Sequence, residues 1–233
     1  MNDTAIAWCA EGEAAWHAAG YAGLGRRWTS DGTLARGFGT HVPQPFLLGA
    51  VTLARGALVP DDVPGVVCDS FAELTLPGRG AEPVGHWMVH TGPPPAVPRV
   101  PGLTVRPALT DEDVSWFETI AFLAADGAPP GRPGELHPAG SQHLPGLTLL
   151  IGEIDGQGVG TALSVTTGRV NNIGAVAVMP AHRGRGAAGQ LTAAAMAIAP
   201  ALPAVLSATS AGRGVYARLG FSEVGRPLHH RRD

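Results

Sequence analysis

Apolar residues over positions 5–19 recur at a helical spacing, with Trp8 and Trp16 on or near one face. Positions 33–38, 46–53 and 85–90 read as strands. Turn signals separate them: Ser30-Asp31-Gly32, Pro43 and Pro45, and Asp61-Asp62 ahead of Pro64. Residues 1–92 are therefore α+β, and they hold no motif that points to a chemistry.

From residue 103 the pattern is more regular. A short strand at 103–106 ends at Pro107. Thr110 then caps a helix that runs to about 125, and Asp111, Glu112 and Asp113 in its first turn suit the helix dipole. A Gly/Pro loop spans 127–146. Strands follow at 147–154, 158–166 and 170–178, joined by hairpin turns at Asp155-Gly156-Gln157 and Thr167-Gly168-Arg169. A glycine-rich turn leads into an alanine-rich helix at 187–199. A strand at 204–208, a short helix at 213–219 closed by Gly220, and a last strand at 221–228 complete the order.

Residues 91–102 contain five prolines, which exclude a helix interior or a central strand. The segment reads as a polyproline-like connector or as a surface loop within one domain. The expected division is an α+β part at 1–92, a linker at 93–102, and a second domain at 103–233. That domain has a mixed central β-sheet flanked by helices.

Composition narrows the function. The 233 residues carry a net charge of −3, which gives no general attraction for nucleic acid or anionic lipid. There is no lysine, so a Walker phosphate loop, a pyridoxal Schiff base and the ordinary kinase and class A β-lactamase signatures are excluded. Gly 33 and Pro 21 are high counts but follow no period of three, so the chain is turn-rich rather than collagen-like. Cys9 and Cys68 stand outside any Cys-x-x-Cys pair and read as free thiols in a reducing cytoplasm. The first residues show neither a basic region nor a long apolar run, and no window reaches the length of a membrane span.

The segment that carries chemistry is Val176-Ala177-Val178-Met179-Pro180-Ala181-His182-Arg183-Gly184-Arg185-Gly186-Ala187-Ala188-Gly189. A strand ends, glycines turn, and a helix begins, which builds an anion site from free N–H groups and a helix dipole. Residues 184–189 match Gly-x-Gly-x-x-Gly. The dinucleotide reading fails because no acidic residue follows about 20 positions on, and too little chain remains for a doubly wound domain.

Val178-x-Pro180-x-x-Arg183-Gly184-x-Gly186-x-Ala188 resembles the first signature of the GNAT superfamily of acyl-CoA N-acyltransferases. Tyr216-Ala217-Arg218-Leu219-Gly220-Phe221 resembles the second, Tyr-x-x-Leu-Gly-Phe. The two occur in the family's order, and the β/α order over 103–228 resembles the family's fold. The resemblance implies acetyl-CoA as cosubstrate. Val176, Ala177 and Val178 would pair with its pantetheine arm, one of their N–H groups polarising the thioester carbonyl. Arg183, Gly184, Arg185, Gly186, Ala187, Ala188 and Gly189 would form the pyrophosphate cradle. Tyr216 would protonate the departing thiolate. Thr209 and Ser210 stand where the family contacts the cofactor, and Thr209 equally suits a helix cap.

The strand at 170–178 holds no acid. Many family members carry a glutamate there, where this chain has Asn172, which can orient a water or the substrate but cannot take a proton. Glu118 and Glu153 are the other candidates for a base, each also readable as a solvated surface acid. His137 and His143 lie in the loop that lines the acceptor site in this family. His86-x-x-x-His90 and His229-His230 lack the acids and cysteines of a metal site, so no metal is expected.

The resulting expectation is an N-acetyltransferase. It would act on a primary amine of a small molecule or peptide by direct attack in a ternary complex. No nucleic-acid or membrane partner is expected, and residues 1–92 would be a degenerate GNAT-like unit that shapes the acceptor pocket or supports a homodimer. The competing reading is a catalytically silent acyl-CoA sensor or structural module.

Overall fold

A computed structural model of the chain describes residues 3–44, 46–124 and 134–232. The first elements are α1 (Asp3–Gly23), β1 (Trp28–Ser30), β2 (Leu34–Gly37), β3 (Ala50–Thr52), β4 (Val67–Asp69), β5 (Arg79–Pro83) and β6 (His86–His90). The middle of the chain gives β7 (Thr104–Pro107), α2 (Asp111–Ala124), β8 (Leu147–Ile154), β9 (Gln157–Thr166), β10 (Asn171–Val178) and α3 (Ala187–Met196). It closes with β11 (Ala204–Ala208), α4 (Arg213–Arg218), β12 (Ser222–Gly225) and β13 (Leu228–Arg232). By internal contacts the chain forms two compact units, Met1–His90 with Val205–Asp233, and Thr91–Ala204.

In the first unit, six strands run in the order β1-β2-β3-β4-β13-β5. The β3–β4 pair is parallel. β13 lies between β4 and β5 and is antiparallel to both, with His229 opposite Cys68 and Glu82. Leu34, Ala50, Val63 and Val67 pack as a buried cluster. Among fully buried side chains, Tyr21 donates its hydroxyl to Leu48 O at 3.1 Å. The Asp69 carboxylate accepts from the N–H groups of Phe71, Glu73 and Leu74, which fixes the turn after β4. β12 pairs antiparallel with β6, Glu223 opposite Met88.

The second unit holds an antiparallel meander β7-β8-β9-β10. Asp155 and Gly156, both at positive φ (51° and 74°), make the tight turn between β8 and β9 that a right-twisted hairpin requires. Thr110 and Asp113 form a reciprocal cap for α2. The Thr110 hydroxyl accepts from Asp113 N at 3.1 Å, and the Asp113 carboxylate accepts from Thr110 N at 3.2 Å. The Arg106 guanidinium and the N–H groups of Leu109 and Thr110 hold the Asp113 carboxyl down at about 2. α2 buries Val114, Phe117 and Ile120, and α3 buries Leu191, Ala195 and Met196.

Several sequence expectations change. The expected strand at 46–53 is only Ala50–Thr52, because the chain turns before it: Leu47 N–H donates to Gln44 O, and Phe46 stays 56% exposed. The expected last strand at 221–228 is two strands, broken around Pro227, which lacks an N–H for a ladder and gives its carbonyl to Val84 N. The helix expected to reach 199 ends at Met196 and tightens into three-residue turns at Ile198 and Ala199. The division expected at 93–102 assigned 205–233 to the second domain. By contact those residues group with 1–90, since β12 pairs with β6 and β13 with β4 and β5. Within 91–102, Val100 is buried and its N–H donates to Gln190 Oε1 on α3. The turn signal at Pro45, the helix end expected at 125 and part of the 127–146 loop lie outside the described residues.

Candidate active site

β10 is interrupted near its end. Gly174 pairs with Leu163 and Ala177 with Thr161, so two residues of β10 stand opposite one of β9. Ala175 takes the left-handed conformation at this bulge (φ 46°), and Thr161 Oγ1 donates to its carbonyl at 2.8 Å. Val176, Ala177 and Val178 therefore follow a strand that has been re-aimed by one residue.

Beyond Met179, residues 180–182 form a single 3-10 turn that brings the chain to Arg183. Gly184 and Gly186 both have positive φ (74° and 90°), and Gly186 opens α3 without a side-chain cap. A Cβ on Gly184 would meet nothing within 4 Å, so the turn faces open space. Gln190 N–H donates to Gly186 O, whereas the N–H groups of Ala187, Ala188 and Gly189 make no hydrogen bond among the described residues. These donors, the dipole of α3 and the exposed Arg185 form a cradle for an anion.

Arg183 is used differently from its neighbours. Its Nε donates to Val178 O at 3.0 Å and its Nη2 to Ala124 O at 2.7 Å. The guanidinium thus ties the end of β10 and the end of α2 to the glycine turn.

Asn172 is buried on β10 opposite Val165. Its neighbour Asn171 faces α3, with Nδ2 donating to Ala195 O at 3.0 Å and Oδ1 accepting from Ser164 Oγ at 2.7 Å. Alternation therefore turns Asn172 to the opposite face of the sheet.

Glu118 is not the surface acid expected. It is 1% exposed, and its carboxylate accepts from the N–H groups of Gly134, Leu136 (2.6 Å) and His137 (3.2 Å). It holds the backbone at Gly134–His137 rather than waiting as a base. Glu153 pairs with Arg106 Nε at 2.6 Å. His137 is buried edge-on against Phe117, and burial pushes its imidazole down to about 4. His143 is exposed.

Tyr216 and Thr209 belong to the unit of Met1–His90 and Val205–Asp233; the other expected site residues belong to Thr91–Ala204. Tyr216 sits on α4, its ring edge-on to Phe221 at 6.0 Å. Burial pushes its phenol up to about 12, which keeps it protonated. Thr209 Oγ1 accepts from Gly212 N at 3.0 Å, so the hydroxyl caps the turn into α4. Sequence reasoning missed Glu223, which lies 137 positions from its partner His86 and contacts it at 2.9 Å. Only the pairing of β12 with β6 reveals that contact. His90 instead packs its ring on Phe221 at 5.4 Å.

Residues 145–223 match the family model described as Acetyltransferase (GNAT) domain. No curated protein matches the chain. A GCN5-related N-acetyltransferase from Kribbella flavida is 19% identical, with a TM-score of 0.60 over 94% of this chain and 95% of that one. A functionally unknown conserved protein from Staphylococcus epidermidis is 14% identical, with a TM-score of 0.58 over 88% and 93%. At these identities the likeness is one of fold. The bulged β10, the glycine turn and α3 all fall inside the segment that matches this family model.

Proposed function

We propose that the protein transfers an acetyl group from acetyl-CoA to a primary amine of a small molecule or peptide, by direct attack in a ternary complex. The observation that carries this reading is the exposed turn at Gly184–Arg185–Gly186, with three N–H donors at the start of α3 and a free-standing arginine beside them. Val176 at the bulge, and Ala177 and Val178 past it, are the residues this reading assigns to the pantetheine arm. Tyr216 is its acid for the departing thiolate, and its high pKa suits a donor that must keep its proton until the C–S bond breaks. Two buried free thiols, Cys9 and Cys68, suit a reducing compartment such as the cytoplasm.

The test is calorimetric titration of the full chain with acetyl-CoA and with CoA, followed by an amine screen read as CoA release. Micromolar binding and amine-dependent release support the reading. Absence of binding overturns it.

One observation favours a second reading. β10 carries no acid, and Asn172 stands where many family members place one. A silent acyl-CoA sensor needs no base. Tyr216→Phe separates the two: a transferase loses turnover and keeps binding, whereas a sensor has no turnover to lose.

A further inference from the structure

Ser210, His86 and Glu223 come from three separate places in the chain: the turn after β11, the start of β6 and β12. All three lie in the unit of Met1–His90 and Val205–Asp233. His86 Nδ1 is 2.9 Å from Glu223 Oε1, and its Nε2 is 3.5 Å from Ser210 Oγ. A carboxylate can only accept, so the Nδ1 of a neutral His86 carries the proton and Nε2 presents a lone pair to the Ser210 hydroxyl. That is the order hydroxyl, imidazole, carboxylate which activates a serine as a nucleophile.

The surroundings fix the arrangement. His86 is 8% exposed, while Ser210 is exposed and open to a substrate. Glu223 stands opposite Met88 in the β6–β12 pair, a diagonal neighbour of His86. Arg213 Nη1 contacts the other carboxylate oxygen at 3.1 Å in a part-exposed ion pair. His86 and Arg213 keep the Glu223 carboxyl below its ordinary range. The turn carrying Ser210 is closed by Gly212 N to Thr209 Oγ1 and Arg213 N to Thr209 O. The N–H of Ala211, next after Ser210, has no acceptor among the described residues, and would donate to a developing oxyanion.

We propose that Ser210, His86 and Glu223 form a hydrolytic centre for activated acyl esters and thioesters, an activity separate from transfer to an amine. Ser210 Oγ bonds to the acyl carbon as its proton passes to His86 Nε2. The tetrahedral adduct collapses, the C–O or C–S bond to the leaving group breaks, and that group departs with the proton from His86. Water then adds to the acyl carbon, giving its proton to His86. The bond to Ser210 Oγ breaks, and the hydroxyl recovers the proton as the carboxylic acid leaves. Ser210 and His86 are the catalytic residues, and Glu223 is a positioning residue.

The experiment uses p-nitrophenyl acetate with the full chain, without CoA or amine, so its outcome does not depend on the acyl-CoA reading. The wild type is expected to release nitrophenolate with an initial burst, and a fluorophosphonate probe is expected to label the peptide holding Ser210. Ser210→Ala and His86→Gln are expected to lower turnover at least about 100-fold. Glu223→Gln is expected to lower kcat by less than either and to leave KM unchanged, and Glu223→Asp to recover part of that loss. Failure of the wild type to exceed buffer, a Ser210→Ala rate equal to wild type, or a fluorophosphonate label elsewhere than Ser210 each overturns the proposal.

Discussion

Arg183 Nε lies 3.0 Å from the carbonyl oxygen of Val178 and donates to it. The arginine that opens the glycine turn therefore serves the strand before that turn, while Arg185, two positions on, is exposed. The two arginines are expected to behave differently on removal. Arg183→Ala should destabilise the fold by about 1–3 kcal/mol, the range for hydrogen bonds from a charged donor to carbonyls. Arg183→Lys should not restore it, since a single ammonium cannot span the carbonyls of Val178 and Ala124 as the planar fork does. Arg185→Ala should leave the melting temperature unchanged and weaken acyl-CoA binding several-fold, with a smaller effect at high salt. Thermal denaturation and calorimetry on the same variants check this.

Gly186 sits at φ 90°, ψ −2°, at the entry to α3. Gly186→Ala places a Cβ in the left-handed region and should cost about 1–2 kcal/mol. If the turn relaxes instead, the three donors at residues 187–189 lose their common aim, and acyl-CoA affinity should fall more than stability. Comparing the two losses in one variant tells which happens.

Tyr216→Phe removes only the phenolic oxygen from α4. Amine-dependent CoA release is expected to fall about 100- to 10,000-fold, with acyl-CoA affinity kept. Because burial pushes the wild-type phenol up to about 12, turnover should show no alkaline limb from this group below about pH 11. A limb near pH 10, absent in Tyr216→Phe, would count against the buried phenol.

His137 makes stability depend on pH. Its folded value of about 4 lies below the ordinary 6.5, so the unfolded chain binds more protons between those values. Stability is complete above about pH 6.5 and is lost as pH falls towards 4, by about 2–4 kcal/mol in all. His137→Leu should flatten this slope in urea titrations run across that range.

The second unit was largely legible in the sequence. Its strands are eight to ten residues long apart from β7, and α2 is capped by residues the pattern shows, Thr110 with Asp113. β8 begins and ends where the pattern put it. In the first unit, β1, β4 and β5 were missed. They are three to five residues long, too short for alternation to stand out, and β13, which pairs with both β4 and β5, is distant in sequence. The glycine turn was readable because glycines at positive φ are local. Glu118 was not, since three backbone donors from 16 to 19 positions away make its burial tolerable. The contact of His86 with Glu223 was likewise invisible, depending on the register of β12 against β6.

The position of β13 also bears on the order of assembly. β4 and β5 are joined through β13 on either side, so the six-stranded sheet has a gap until residues 228–232 arrive. During synthesis, which runs from the N-terminus, β4, β5 and β6 must wait for the strands they meet in β13 and β12 while the whole second unit is made. Closing the sheet over so long a stretch of chain is a slow step, and the nascent chain is most exposed to aggregation just before it. A fragment that stops ahead of β13 would be held in that waiting state.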